Sequence, residues 1–323
     1  MTSPSGLRIV FFGTPEFAGY ILRHLVERGE NIVGVVTTPD KPHGRGLKMK
    51  SSAVKDAALE FQIPILTPIK HRDPEFIGEL NKLSADVFVV VAYKILPKEV
   101  FTIPRFGSFN IHASLLPKYR GAAPINWAII RGEIETGITT FLLDEKVDTG
   151  LTLLSKSIHI GLDETAGELH DRLMHLGAEC ALETLFGLAS GSLHPIKQPS
   201  EFATTAPKIF PKDCIIDFAK PREEVHNFIR GMSPHPGAVT TLRNGLHLKI
   251  LCSKISPDTP SGLATGEYQA TDSNKRLFAG TSTGALEILE IQREGKRAMP
   301  TEEFLRGAKW LSNLDNSSFL ILN

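Results

Sequence analysis

What most constrains this chain is a series of apolar runs in its first half, each followed by a helical pattern. LRIVFFG at 7–13 and DVFVVVAY at 86–93 contain almost no polar residue. A strand with one wet face alternates apolar and polar side chains. An unbroken apolar strand is buried on both faces, as in a parallel sheet covered by helices. Between these runs, residues 14–29 read as a helix, with Thr14 as its cap, Pro15 in its first turn and Gly29 closing it. NIVGVVTT (31–38) and IPIL (63–66) read as strands, and residues 51–61 and 73–83 as helices. FNIHA (109–113) supplies a fifth strand. The order predicts an α/β fold, a doubly wound, mostly parallel, Rossmann-like sheet with right-handed crossovers. Strands at 137–144 and 151–160 and a long helix over 165–189 complete this domain.

The character then changes. Residues 190–213 hold four prolines and little periodicity. Beyond them the strands are short, Asn244-Gly245 sits between alternating runs as a hairpin signal, and RLFAGTSTGALEILEIQ reads as a second hairpin. Helical pieces fall at 221–232 and 301–311. A small OB-like β-barrel is expected, since closure removes exposed strand edges. The predicted division is a catalytic domain over 1–189, a linker over 190–207 and a C-terminal domain over 208–323; a chain of 323 residues can bury two cores. A formal net charge of zero excludes a generally basic nucleic-acid binder, though not a local basic patch. Cys180, Cys214 and Cys252 lack metal-ligand spacing and read as reduced thiols of a cytosolic protein. The first residues lack a signal-peptide pattern, and no apolar run approaches a membrane span.

In an open α/β sheet, ligands bind beyond the carboxyl ends of the strands. Asn110 and His112, two residues apart on one strand, share a face there. An amide can donate to a developing oxyanion, and an imidazole can donate or pass a proton near neutral pH. DEKVDTG at 144–150 offers Asp148 as the orienting anion, and a carboxylate beside the imidazole would favour its protonated form. On spacing alone, a satisfied structural pair and a turn-forming aspartate remain the commoner readings. FFGTPEF lacks the glycine pattern of a dinucleotide site.

FNIHASLLPKYRGAAPINWAI resembles the signature of the folate-dependent formyltransferases. RIVFFGTPEFA, TTPDKPHGRG, VVVAY, VDTG, KIFPKDCIIDF and GKRAM extend the resemblance over nearly the whole chain, to the methionyl-tRNA-specific branch of that family. The resemblance implies an enzyme that transfers formyl from 10-formyltetrahydrofolate to the α-amino group of methionyl initiator tRNA, without metal or nucleotide cofactor. Its catalytic set falls on Asn110, His112 and Asp148. Its folate segment falls on Ser114, Leu115, Leu116 and Pro117, with Tyr93 at the end of the fourth strand. Arg45, flanked by Lys41, Lys48 and Lys50, is expected to contact tRNA, with Lys208 and Lys212 as a second basic site. Ala113 and Lys94 stand where members commonly carry glycine, and Lys146-Val147 where glycine-leucine is common. A monomer in a bacterial cytoplasm is implied, with no membrane partner. The alternatives are a relative acting on an amino sugar or another small amine, and a non-catalytic RNA-binding module.

Overall fold

The computed structural model describes residues 3–43, 48–242, 245–271, 275–307 and 318–320. It divides into two compact units, one of residues 1–122, 136–158 and 170–206, the other of residues 123–135, 159–169 and 207–323.

In the first unit the strands are β1 (Arg8–Gly13), β2 (Asn31–Val36), β3 (Lys41–His43), β4 (Lys48–Lys50), β5 (Ile65–Leu66), β6 (Val87–Val91), β7 (Ser108–His112), β8 (Arg120–Gly121), β9 (Glu135–Leu142), β10 (Thr152–His159) and β11 (Thr205–Ala206). The main sheet has the order β10-β9-β7-β6-β1-β2-β5. Its five strands from β7 to β5 run parallel, and β9 pairs antiparallel to β7. β6 is buried throughout, and Phe12, Phe88, Val10 and Val90 pack a core with Phe76 and Leu80 of helix α3. The apolar runs therefore mean what they predicted, a sheet covered on both faces.

Helices α1 (Glu16–Glu27), α2 (Ala53–Glu60) and α3 (Pro74–Lys82) connect these strands. Ser52 and Asp73 cap α2 and α3 with side-chain acceptors. Thr14 does not cap α1: the helix begins one residue later, with extended Pro15 at the cap and Glu16 in the first turn, where a carboxylate suits the helix dipole. The stretch after β2 is more ordered than a loop, since β3 and β4 pair antiparallel on either side of 44–47. From the predicted linker, Ile196 bridges Thr152, and β11 pairs parallel with β8.

In the second unit, β12 (Ala238–Thr241), β13 (His247–Lys254), β14 (Glu267–Thr271), β15 (Arg276–Thr281), β16 (Gly284–Arg293), β17 (Ala298–Pro300) and β18 (Ser318–Leu320) form one antiparallel sheet, barrel-like as expected. Of the expected Asn244-Gly245 turn, Asn244 lies outside the described residues, and the strands beside it pair as a hairpin. Phe218, Tyr268, Leu286, Ile288 and Ile291 form the core with Val225 and Ile229 of the helix Arg222–Met232. The short helix Pro124–Ile130 packs on that helix at Gly231, whose missing side chain lets Ile130 approach.

Candidate active site

His112 ends β7, so its imidazole lies on the carboxyl rim of the parallel strands. Asn110 is level with Val90 on β6 and Phe141 on β9. Its Oδ1 is buried and has no hydrogen-bond partner among the described residues. A buried acceptor normally has a donor, so this oxygen is open to one.

His112 is 6% exposed. Its Nε2 lies 2.9 Å from the Tyr119 carbonyl oxygen. A carbonyl can only accept, so Nε2 carries hydrogen and Nδ1 is turned the other way. Nδ1 faces Asp148 Oδ2 at 3.8 Å, close enough for charge pairing and too long for a direct hydrogen bond. The same Oδ2 accepts from the Gly121 N–H at 2.8 Å. The expected approach of imidazole and carboxylate is thus present, with Asn110 two residues earlier on the same strand.

The Asp148 turn is built by its neighbours. Thr149 donates its hydroxyl to the Asp144 carboxylate at 2.8 Å. Gly150 lies against the Leu142 carbonyl oxygen, where any Cβ would overlap it. Asp148 itself has φ 55°, a left-handed conformation that aspartate tolerates better than most residues. Gln198, 6% exposed, donates from Nε2 to the carbonyls of Asp148 (3.1 Å) and Gly150 (2.8 Å). Thr204 receives the Tyr119 N–H on its hydroxyl at 2.9 Å, fixing the residue whose carbonyl holds His112.

The segment 113–118 turns sharply after β7. Ser114 is fully buried, and its hydroxyl donates to the Lys118 carbonyl at 2.7 Å. Thr139 donates to the Ser114 carbonyl and accepts from the Leu116 N–H. Leu115 and Leu116 stay half-buried, and Pro117 is buried. Tyr93, half-buried after β6, sits with its hydroxyl 3.0 Å from His71 Nε2; burial pushes its phenol up to about 12. Burial, then the charge of Lys94, lowers the pKa of His71. Lys41 and Lys50 are exposed and stand opposite each other across the β3–β4 ladder. Arg45 lies outside the described residues, as does the side chain of Lys48. In the second unit, Lys208 Nζ lies 5.5 Å above the ring of exposed Phe210, and Lys212 is exposed two residues on.

The asparagine–histidine spacing and the aspartate were readable in the sequence. The Tyr119 carbonyl, Thr139, Gln198 and Thr204 were not, because a main-chain acceptor has no residue signature and the other three lie far along the chain from the groups they hold.

Residues 7–185 match the family described as Formyl transferase, and residues 208–309 match Formyl transferase, C-terminal domain. The methionyl-tRNA formyltransferase of Geobacter sulfurreducens is 46% identical over 304 residues, 94% of each chain. That of Caldanaerobacter subterraneus subsp. tengcongensis is 48% identical over 306 residues, 93% of this chain and 97% of the other. The chain belongs to the methionyl-tRNA formyltransferase family. Two solved structures share its fold. HypX from Aquifex aeolicus in complex with tetrahydrofolic acid superposes with TM-score 0.65 at 18% identity over 96% of this chain and 48% of its own. The sugar 3N-formyl transferase WlaRD, in the presence of dTDP and 5-N-formyl-THF, gives 0.64 at 22% identity over 90% and 99%. Within the formyltransferase fold, then, the rim trio lies in the family's own domain match, and the antiparallel unit corresponds to its C-terminal domain.

Proposed function

We infer that this protein transfers the formyl group of 10-formyltetrahydrofolate to the α-amino group of methionyl initiator tRNA in a bacterial cytoplasm. The observation that carries this reading is 46% identity over 94% of both chains to a methionyl-tRNA formyltransferase.

Formyl transfer makes one bond from the amine nitrogen to the formyl carbon and breaks one from that carbon to the folate nitrogen. The attacking ammonium must lose two protons, one to solvent to become the amine and one as the new bond forms, the leaving nitrogen must gain one, and the formyl oxygen carries charge in between. The Asn110 amide, two residues before His112 on the same strand, is the group to meet that oxygen, donating from Nδ2. Nδ1 of His112 and Oδ2 of Asp148 are 3.8 Å apart. A substrate nitrogen set between them reaches both at about 2.8 Å, ordinary hydrogen-bond length. The pair therefore takes the proton of the attacking amine, and the imidazole returns one toward the leaving nitrogen. The Tyr119 carbonyl holds the ring while this happens.

Leu115, Leu116, Pro117 and Tyr93 form the folate wall beside the trio, with Ser114 locking the turn that presents it. Arg45, Lys41, Lys48 and Lys50 on the β3–β4 segment, with Lys208 and Lys212 of the second unit, contact RNA phosphates, and Phe210 under Lys208 offers a ring on which a base can stack. The enzyme acts as a monomer.

The test is a formyl-transfer assay offering methionyl initiator tRNA and a dTDP-amino sugar in parallel. Rapid N-formylation of the methionine and none of the sugar supports the reading. Preference for the sugar amine, or no transfer to either, overturns it.

A further inference from the structure

Gln198 is well placed to do more than fill space. It lies in a proline-flanked stretch with no strand or helix of its own, yet it is 6% exposed. Its Oε1 accepts from Arg120, at 2.7 Å from Nη2 and 3.2 Å from Nε. Its Nε2 donates to the Asp148 and Gly150 carbonyls. One amide has two donor hydrogens and two acceptor lone pairs, and all four are used. The two ends of this link are both next to the chemistry. Arg120 precedes Gly121, whose N–H holds the Asp148 carboxylate, and Asp148 faces His112.

We propose that Gln198 is a positioning residue for Asp148, an amide clamp that ties the Arg120 strand to the Asp148–Gly150 turn and holds the carboxylate toward the imidazole. The turn needs holding because Asp148 is left-handed, a backbone state from which a non-glycine residue relaxes if released. Thr149 fixes the turn from the Asp144 side, and Gln198 fixes it from the other through the carbonyls on either side of Thr149. A carboxylate at position 198 could still receive Arg120 but could donate nothing to those carbonyls. A glutamine is therefore required by the donor side of the clamp.

The inference rests on the formyl-transfer reading, and its test separates the two. In the full-length protein, Gln198→Ala and Gln198→Glu should each lower kcat by about 100-fold, the scale of an ångström-sized misplacement of a reacting group. KM for tRNA and for 10-formyltetrahydrofolate should stay within about threefold of the parent, since uniform binding is untouched. In an Asp148→Ala background, Gln198→Ala should cost less than about threefold more, because a residue acting through Asp148 loses its effect with it. Hydrogen exchange of the amides over 144–151 should accelerate in both Gln198 variants. Gln198→Glu with parental kcat, full multiplicative losses in the double variant, or unchanged exchange over 144–151 would each overturn the clamp. An inactive parent protein would overturn the formyl-transfer reading instead, and the exchange measurement would still decide the clamp.

Discussion

A methyl group at position 150 has no room. It would overlap the Leu142 carbonyl oxygen, which is backbone and cannot swing aside, so the turn must move and take Asp148 with it. Gly150→Ala is expected to cost about 1–3 kcal/mol of stability by overpacking, seen as a lowered melting midpoint. The same variant should lose kcat steeply, and activity at the parental level would show that the turn tolerates displacement. Asp148→Asn asks a narrower question. The amide keeps an oxygen for the Gly121 N–H but surrenders the charge that faces Nδ1 of His112. Saturating turnover should fall by on the order of 100-fold or more, the usual scale of a missing proton-transfer group, with folate and tRNA affinities held. Equal loss in KM instead would make Asp148 a binding residue.

Among the elements, the β3–β4 ribbon and the helix Arg222–Met232 each carry an expectation. Lys41 and Lys50 stand opposite each other on adjacent strands of one ribbon, and both are proposed to meet phosphates. Replacing both with alanine should weaken tRNA binding and flatten the salt dependence of log affinity by about 0.9 for each phosphate left without its lysine. An unchanged salt slope would remove this ribbon from the RNA interface. In the helix, His226 is 4% exposed, with Nδ1 3.0 Å from Ser253 Oγ and Nε2 facing the Leu162 carbonyl and Asp163. Burial lowers its pKa from the usual 6.5, and the charge of Arg230 adds to this against the pull of Leu162 and Asp163. A depressed folded-state pKa gives stability that is present above 6.5 and lost as pH falls through the folded value. Melts across that acid window should lose stability, and His226→Gln should flatten the loss. The parallel sheet was legible because β1 and β6 are apolar without alternation, and the hairpins because strand period and turn residues coincide. Asn110 and His112 were legible because strand period puts them on one face. The supports of that pair were not: Gln198 reaches Asp148 across 50 residues, and no local pattern announces such a pairing. The start of α1 was missed because Pro15, already extended, takes the cap position that Thr14 was given.

At the scale of the molecule, a chain with no net charge must bind a polyanion through local arrangement, and of the two proposed basic sites one shares the unit of the chemistry and the other does not. Asn110, His112 and Asp148 all belong to the first unit, along with Gln198 and the β3–β4 ribbon, while Lys208, Phe210 and Lys212 belong to the second. Substitutions at the second unit's basic residues should therefore change RNA affinity without changing formyl transfer. Lys208→Ala with Lys212→Ala should raise KM for methionyl-tRNA in a salt-dependent way and leave saturating turnover at the parental value. A fall in that turnover would tie the second unit to the chemical step. If the Asn110 amide receives the formyl oxygen as the amine attacks, single-turnover formylation of methionyl initiator tRNA under saturating 10-formyltetrahydrofolate reads that contact. Asn110→Ala should slow the chemical step by about 100-fold to 1000-fold while both substrates still bind. A parental single-turnover rate in that variant would remove Asn110 from the chemical step.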